Sequence, residues 1–86
     1  MAPYELEITR SAEKKFRALP REDQKRLARA MLTLAEDPQP RGSRKLSGYD
    51  DVFRIRIGKY RVLYSFDEGR LVILILKVGH RRDVYR

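Results

Sequence analysis

Six successive apolar residues, Leu71–Leu76 (LVILIL), stand near the end of this 86-residue chain. A strand that is apolar on both faces belongs at the centre of a sheet, with a partner on each edge. That requirement organises the rest of the reading. Immediately upstream, VFRIRIG and KYRVLYSF alternate with period two. Phe53, Ile55 and Ile57 share one face, and Arg54 and Arg56 the other. Tyr60, Val62, Tyr64 and Phe66 likewise oppose Arg61, Leu63 and Ser65. Gly58-Lys59 has the form of a two-residue hairpin turn with glycine first. Asp67–Gly69 closes a second hairpin into LVILIL. The remaining edge of the central strand needs a partner, and YELEI (Tyr4–Ile8), which alternates apolar and acidic residues, is the candidate.

The segment between reads as helical. Thr9 stands at an N-cap position, where a hydroxyl satisfies free N–H groups of the first turn. Ala12, Phe16 and Leu19 then recur at helical spacing. Pro20 is unsuited to a helix interior but suited to the start of the next helix. Glu22 and Asp23 place negative charge in that first turn. Leu27, Ala30, Met31, Leu34 and Ala35 form the apolar stripe, and Pro38 and Pro40 end it. Gln39–Asp51 reads as a charged Gly/Ser loop without the spacing of a phosphate-binding loop. The fold class is α+β: an N-terminal strand, an α-helical hairpin and a three-stranded antiparallel meander. These make one domain over residues 1–86, a four-stranded, mostly antiparallel sheet with helices on one face.

The charge is uneven. The net charge is +8. Residues 1–40 hold eight Lys/Arg against seven Asp/Glu, a balance of +1, while residues 41–86 hold twelve against five, a balance of +7. The second half therefore seeks polyanions. Nucleic acid is the leading partner class, an acidic protein the second and a membrane surface the third. The chain contains no cysteine, which excludes disulfides and thiolate metal sites. No segment approaches a membrane span, and the N-terminus lacks the pattern of a signal peptide, so a cytoplasmic location is expected.

If the helices take the apolar face of the sheet, Arg54, Arg56 and Arg61 stand together on the open one. Like charges that face one another destabilise a sheet, so such a cluster suits an anion. His80, the one histidine, is followed by Arg81 and Arg82. One histidine with scattered carboxylates makes a poor metal site, and neither metal nor cofactor is expected. A neutral imidazole beside phosphate is a proton acceptor.

FRIRIGKYRVLYSF followed by LVILILKVGHRRDVY resembles the RelE branch of the RelE/ParE superfamily, toxins of bacterial and archaeal toxin–antitoxin pairs. The resemblance spans nearly the whole chain, including the Lys45-Leu46-x-Gly48 loop. It implies a RelE-like fold and a metal-independent endoribonuclease that enters the ribosomal A site and cuts mRNA by 2′-OH attack, inhibiting translation. The family pattern falls on Arg54, Arg56, Arg61, Arg81 and Tyr85. Arg61 and Arg81 would clamp the phosphate, and Tyr85 would stack on or orient the nucleotide. Arg44, Lys45, Arg54 and Arg82 would hold further phosphates. The best-known member has lysines at the positions of Arg54 and Arg56. A guanidinium stays protonated, so Arg56 is a poor base; that leaves His80, Tyr85 or no strong base, and His80 is the expectation. Implied partners are a RelB-like antitoxin and a ribosome carrying mRNA, through 16S rRNA and the A-site codon, with operator DNA met only through the antitoxin complex. Two alternatives share the fold: a ParE-like inhibitor of DNA gyrase, and a catalytically silent nucleic-acid-binding homologue that acts with its antitoxin in autorepression.

Overall fold

The computed structural model describes residues 3–80. Among these, the elements run β1 (Glu5–Ile8), α1 (Arg10–Arg17), α2 (Arg21–Glu36), β2 (Arg44–Lys45), β3 (Phe53–Ile57), β4 (Tyr60–Asp67) and β5 (Val72–His80). The sheet order is β1-β5-β4-β3-β2. The apolar run lies second from one edge, between antiparallel β4 and parallel β1, as its two-sided hydrophobicity requires. The sheet has five strands rather than four. Arg44 and Lys45, expected in a loop, pair with Arg54 and Phe53 as a two-residue edge strand. A segment this short and charged carries no alternation to betray a strand, and it blunts the edge of β3.

Both helices lie on the face that carries Val62, Tyr64, Ile73 and Ile75, all fully buried. Leu27, Met31 and Leu34 of α2 and Ala12 of α1 complete that core. Ala30 of the expected stripe is only half-buried. The closest backbone approaches of the helices are to strands, α1 along β5 and α2 across β1, β3 and β5. Tyr64 is held by its hydroxyl, which donates to the Pro38 carbonyl at 2.6 Å and so fastens the chain leaving α2 to the sheet. The turn between β4 and β5 is longer than Asp67–Gly69. Asp67 Oδ1 accepts from the Gly69 and Arg70 amides, and Leu71 adopts a left-handed φ of 56°.

A β-bulge interrupts the pairing of β4 with β5. Leu63 faces Lys77 and Tyr64 faces Ile75, which leaves Leu76 as the extra residue. Strict alternation would turn Lys77 inward with Ile73 and Ile75. The bulge reverses the parity, so that Val78 is buried and Lys77 is exposed. Thr9 braces this irregularity. Its amide donates to Ile75 O at 3.0 Å, and its hydroxyl donates to Leu76 O at 3.0 Å. The same oxygen accepts from the Ala12 amide at 3.2 Å, which caps α1 as expected.

Candidate nucleic-acid interface

The interface begins at the tip of the β3–β4 hairpin. Gly58 has φ +60°, the left-handed conformation that the first turn position demands. A Cβ there would also lie 3.0 Å from the Arg26 guanidinium of α2. Beside it, the Tyr60 hydroxyl donates to the Asp23 carboxylate at 2.6 Å and pins the hairpin to the start of α2. That hydrogen bond, followed by burial and the charge of Asp23, pushes the Tyr60 phenol above its ordinary range.

The pinned hairpin presents its arginines on the opposite face. Arg56 pairs with Arg61, and Arg54 with Leu63. Cross-strand partners point to the same side, so register extends these pairs into rows. One row runs Arg56, Arg61, Gly79. The next runs Arg44, Arg54, Leu63, Lys77. Leu63 is buried beneath this basic layer, and Arg61 Nε is shielded from solvent. The structure thus brings together Arg44, Arg54, Arg56 and Arg61. Lys45, opposite Phe53, belongs to the other side of the edge strand.

Two placements were not legible in the sequence. Lys77 joins the basic face because of the bulge; the clue was a lysine where alternation would bury it. His80 goes the other way. It pairs with Tyr60, and the two rings meet edge-on at 6.4 Å on the helix side of the sheet. His80 was expected as the proton acceptor; the same parity reversal that frees Lys77 carries it to the opposite face from Arg56 and Arg61. Arg81, Arg82 and Tyr85 lie outside the described residues. Among the described residues, no three His, Asp or Glu side chains group as a metal site, and no helix is long and apolar enough to cross a membrane.

A small sheet with helices on one face and arginines on the other places the chain among compact α+β proteins with one basic sheet face. Comparison with known proteins narrows it. The family model described as the ParE toxin of type II toxin–antitoxin system, parDE, matches residues 6–85. The Toxin RelG of Mycobacterium tuberculosis is 33% identical, over 98% of each chain. RelE in the RelE–RelB complex from Pyrococcus horikoshii OT3 superimposes with a TM-score of 0.82 at 32% identity, over 95% of this chain and 99% of that one. The toxin–antitoxin complex RelBE of E. coli gives 0.80 at 25% identity, over 90% and 95%. The chain belongs to the RelE/ParE superfamily of type II toxins and is a RelE-type member of it.

Proposed function

We propose that this toxin is a ribosome-dependent endoribonuclease that cuts mRNA in the A site without a metal ion. The observation that carries the reading is the facing pair Arg56–Arg61, with Arg54 and Lys77 one row away. Such a cluster concentrates positive charge on one open face of the sheet. Guanidinium groups match phosphate oxygens in geometry as well as charge.

In the proposed step, the ribose 2′-oxygen attacks the adjacent phosphorus and gives its proton to water, with no side chain acting as a strong base. The bond from phosphorus to the 5′-oxygen breaks, and that oxygen takes up a proton from water. The products are a 2′,3′-cyclic phosphate and a 5′-hydroxyl. Arg61 and Arg81 clamp the non-bridging oxygens as negative charge builds, and Arg81 assists the leaving oxygen. Arg44, Arg54 and Arg82 hold neighbouring phosphates, and Tyr85 orients the nucleotide. Charge stabilisation and positioning supply most of the acceleration. His80 is left out of proton transfer because it faces away from Arg56 and Arg61. A RelB-like antitoxin is the proposed partner, supported by the RelB-bound state of the solved RelE relatives.

The test is a translation reaction with and without ribosomes, with 5′ ends mapped on the message. Wild-type protein should cut only ribosome-bound message. Arg61→Ala and Arg81→Ala should each cut about 10²–10³-fold more slowly, the range for removing one group that stabilises developing charge. Equal cutting of free and ribosome-bound RNA would sink the ribosome requirement. The ParE description of the family model favours a second reading, inhibition of DNA gyrase. Loss of supercoiling in a gyrase assay, unaffected by Arg61→Ala, would select it.

A further inference from the structure

The open face is not uniformly basic. Below the row of Arg54, Leu63 and Lys77, register sets Ser65, Leu74 and Glu7 side by side. The row after that holds Asp67, Val72 and Glu5. Glu5, Glu7 and Asp67 are all exposed. Successive rows lie about 7 Å apart, two residues along a strand. Charge therefore changes sign along the strand direction. Two basic rows stand at the hairpin tip, and two rows carrying carboxylates stand at the β4–β5 turn. The acidic end is also hollow. A groove of about 710 Å³ opens there, and its lining sets Glu7, Asp51, Asp67 and Glu68 against a single cation, Arg70.

We propose that these acidic rows are an electrostatic boundary that confines single-stranded RNA to the two basic rows. This rests on the RNA-binding reading and deepens it: the protein grips a short stretch of message and repels what lies beyond. Between those rows the face is floored by the half-buried Ser65, Val72 and Leu74. A backbone continuing past Arg54 and Lys77 would bring its phosphates over Glu7 and then over Glu5 and Asp67. At about 7 Å in water, each such like-charge contact weakens binding roughly twofold at low ionic strength. Three carboxylates together oppose an extended strand roughly eightfold, while a strand that ends on the basic rows escapes the penalty.

The test compares wild type with Glu5→Gln/Glu7→Gln/Asp67→Asn, three exposed substitutions that preserve shape. Fluorescence anisotropy reads the binding of labelled 2′-O-methyl oligonucleotides of four and twelve nucleotides, which cannot supply the attacking hydroxyl. The triple variant should bind the twelve-nucleotide probe roughly eightfold more tightly. Its salt dependence should steepen, because further phosphates now release counterions. Its affinity for the four-nucleotide probe should stay within about twofold of wild type. Equal tightening for both lengths, or no change for the longer probe, would overturn the boundary. Arg54→Ala/Arg56→Ala separates the two levels. If this variant binds both probes as wild type does, the RNA-binding reading itself falls, and the boundary with it.

Discussion

Thr9→Val tests how one side chain holds two elements in place. Valine keeps the shape of threonine but removes the hydroxyl that caps α1 and donates to the bulge carbonyl of Leu76. Loss of an N-cap costs about 1 kcal/mol. Loss of the part-buried hydrogen bond to Leu76 costs about another 1 kcal/mol. The expected destabilisation is about 2 kcal/mol, or a fall in Tm of roughly 8–16 °C for a domain of this size. Thermal unfolding followed by circular dichroism measures it. Thr9→Ser is the companion variant: it restores both hydrogen bonds and should stay within about 1 kcal/mol of wild type, the worth of one methyl group. Hydrogen exchange adds a local readout, because Thr9→Val should expose the Ala12 amide more than amides in the middle of α2. A valine variant within about 0.5 kcal/mol of wild type would refute the double role assigned to this hydroxyl.

Three further outcomes are expected. His80→Gln should retain cleavage across the pH range in the ribosome assay, since His80 sits against Tyr60; a collapse of activity would mean the register argument fails. Tyr60 has its phenol raised by Asp23, so the neutral form is favoured in the fold. Its contribution is complete below about pH 10, the unfolded value, and fades as pH rises through the higher folded value. Tyr60→Phe should flatten the alkaline part of a stability–pH curve, and an unchanged curve would count against the Asp23 contact. Leu71 is exposed and held at φ 56°. Leu71→Gly should leave stability unchanged or raise it by up to about 1 kcal/mol, the balance of relieved left-handed strain and glycine entropy; denaturant midpoints decide.

Much of the fold was legible because hydrophobic period reports which side of an element is covered. The β3–β4 hairpin, the central position of β5, the Thr9 cap and the shared face of Arg54, Arg56 and Arg61 all follow from period and turn chemistry. The bulge did not, because LVILIL is apolar at every position and offers no alternation from which to detect a change of parity. That single ambiguity hid both Lys77 and the true side of His80. The edge strand Arg44–Lys45 escaped for a related reason: its pairing is fixed by neighbours and not by pattern. The acidic rows were visible as Glu5 and Glu7 on an alternating strand, but their alignment with Asp67 needs the parallel pairing of β1 with β5.

That parallel pairing also fixes when the molecule can assemble. Among the described residues β1 has no sheet neighbour except β5, and the Thr9–Leu76 hydrogen bond spans 67 positions in sequence. Closing so long a loop costs roughly 4 kcal/mol of chain entropy, which must be met before any contact rewards it. During synthesis the first strand therefore waits, unpaired, until β5 has emerged. A protein proposed to attack translating ribosomes thus lacks its complete sheet until the strand that carries Lys77 has itself been made.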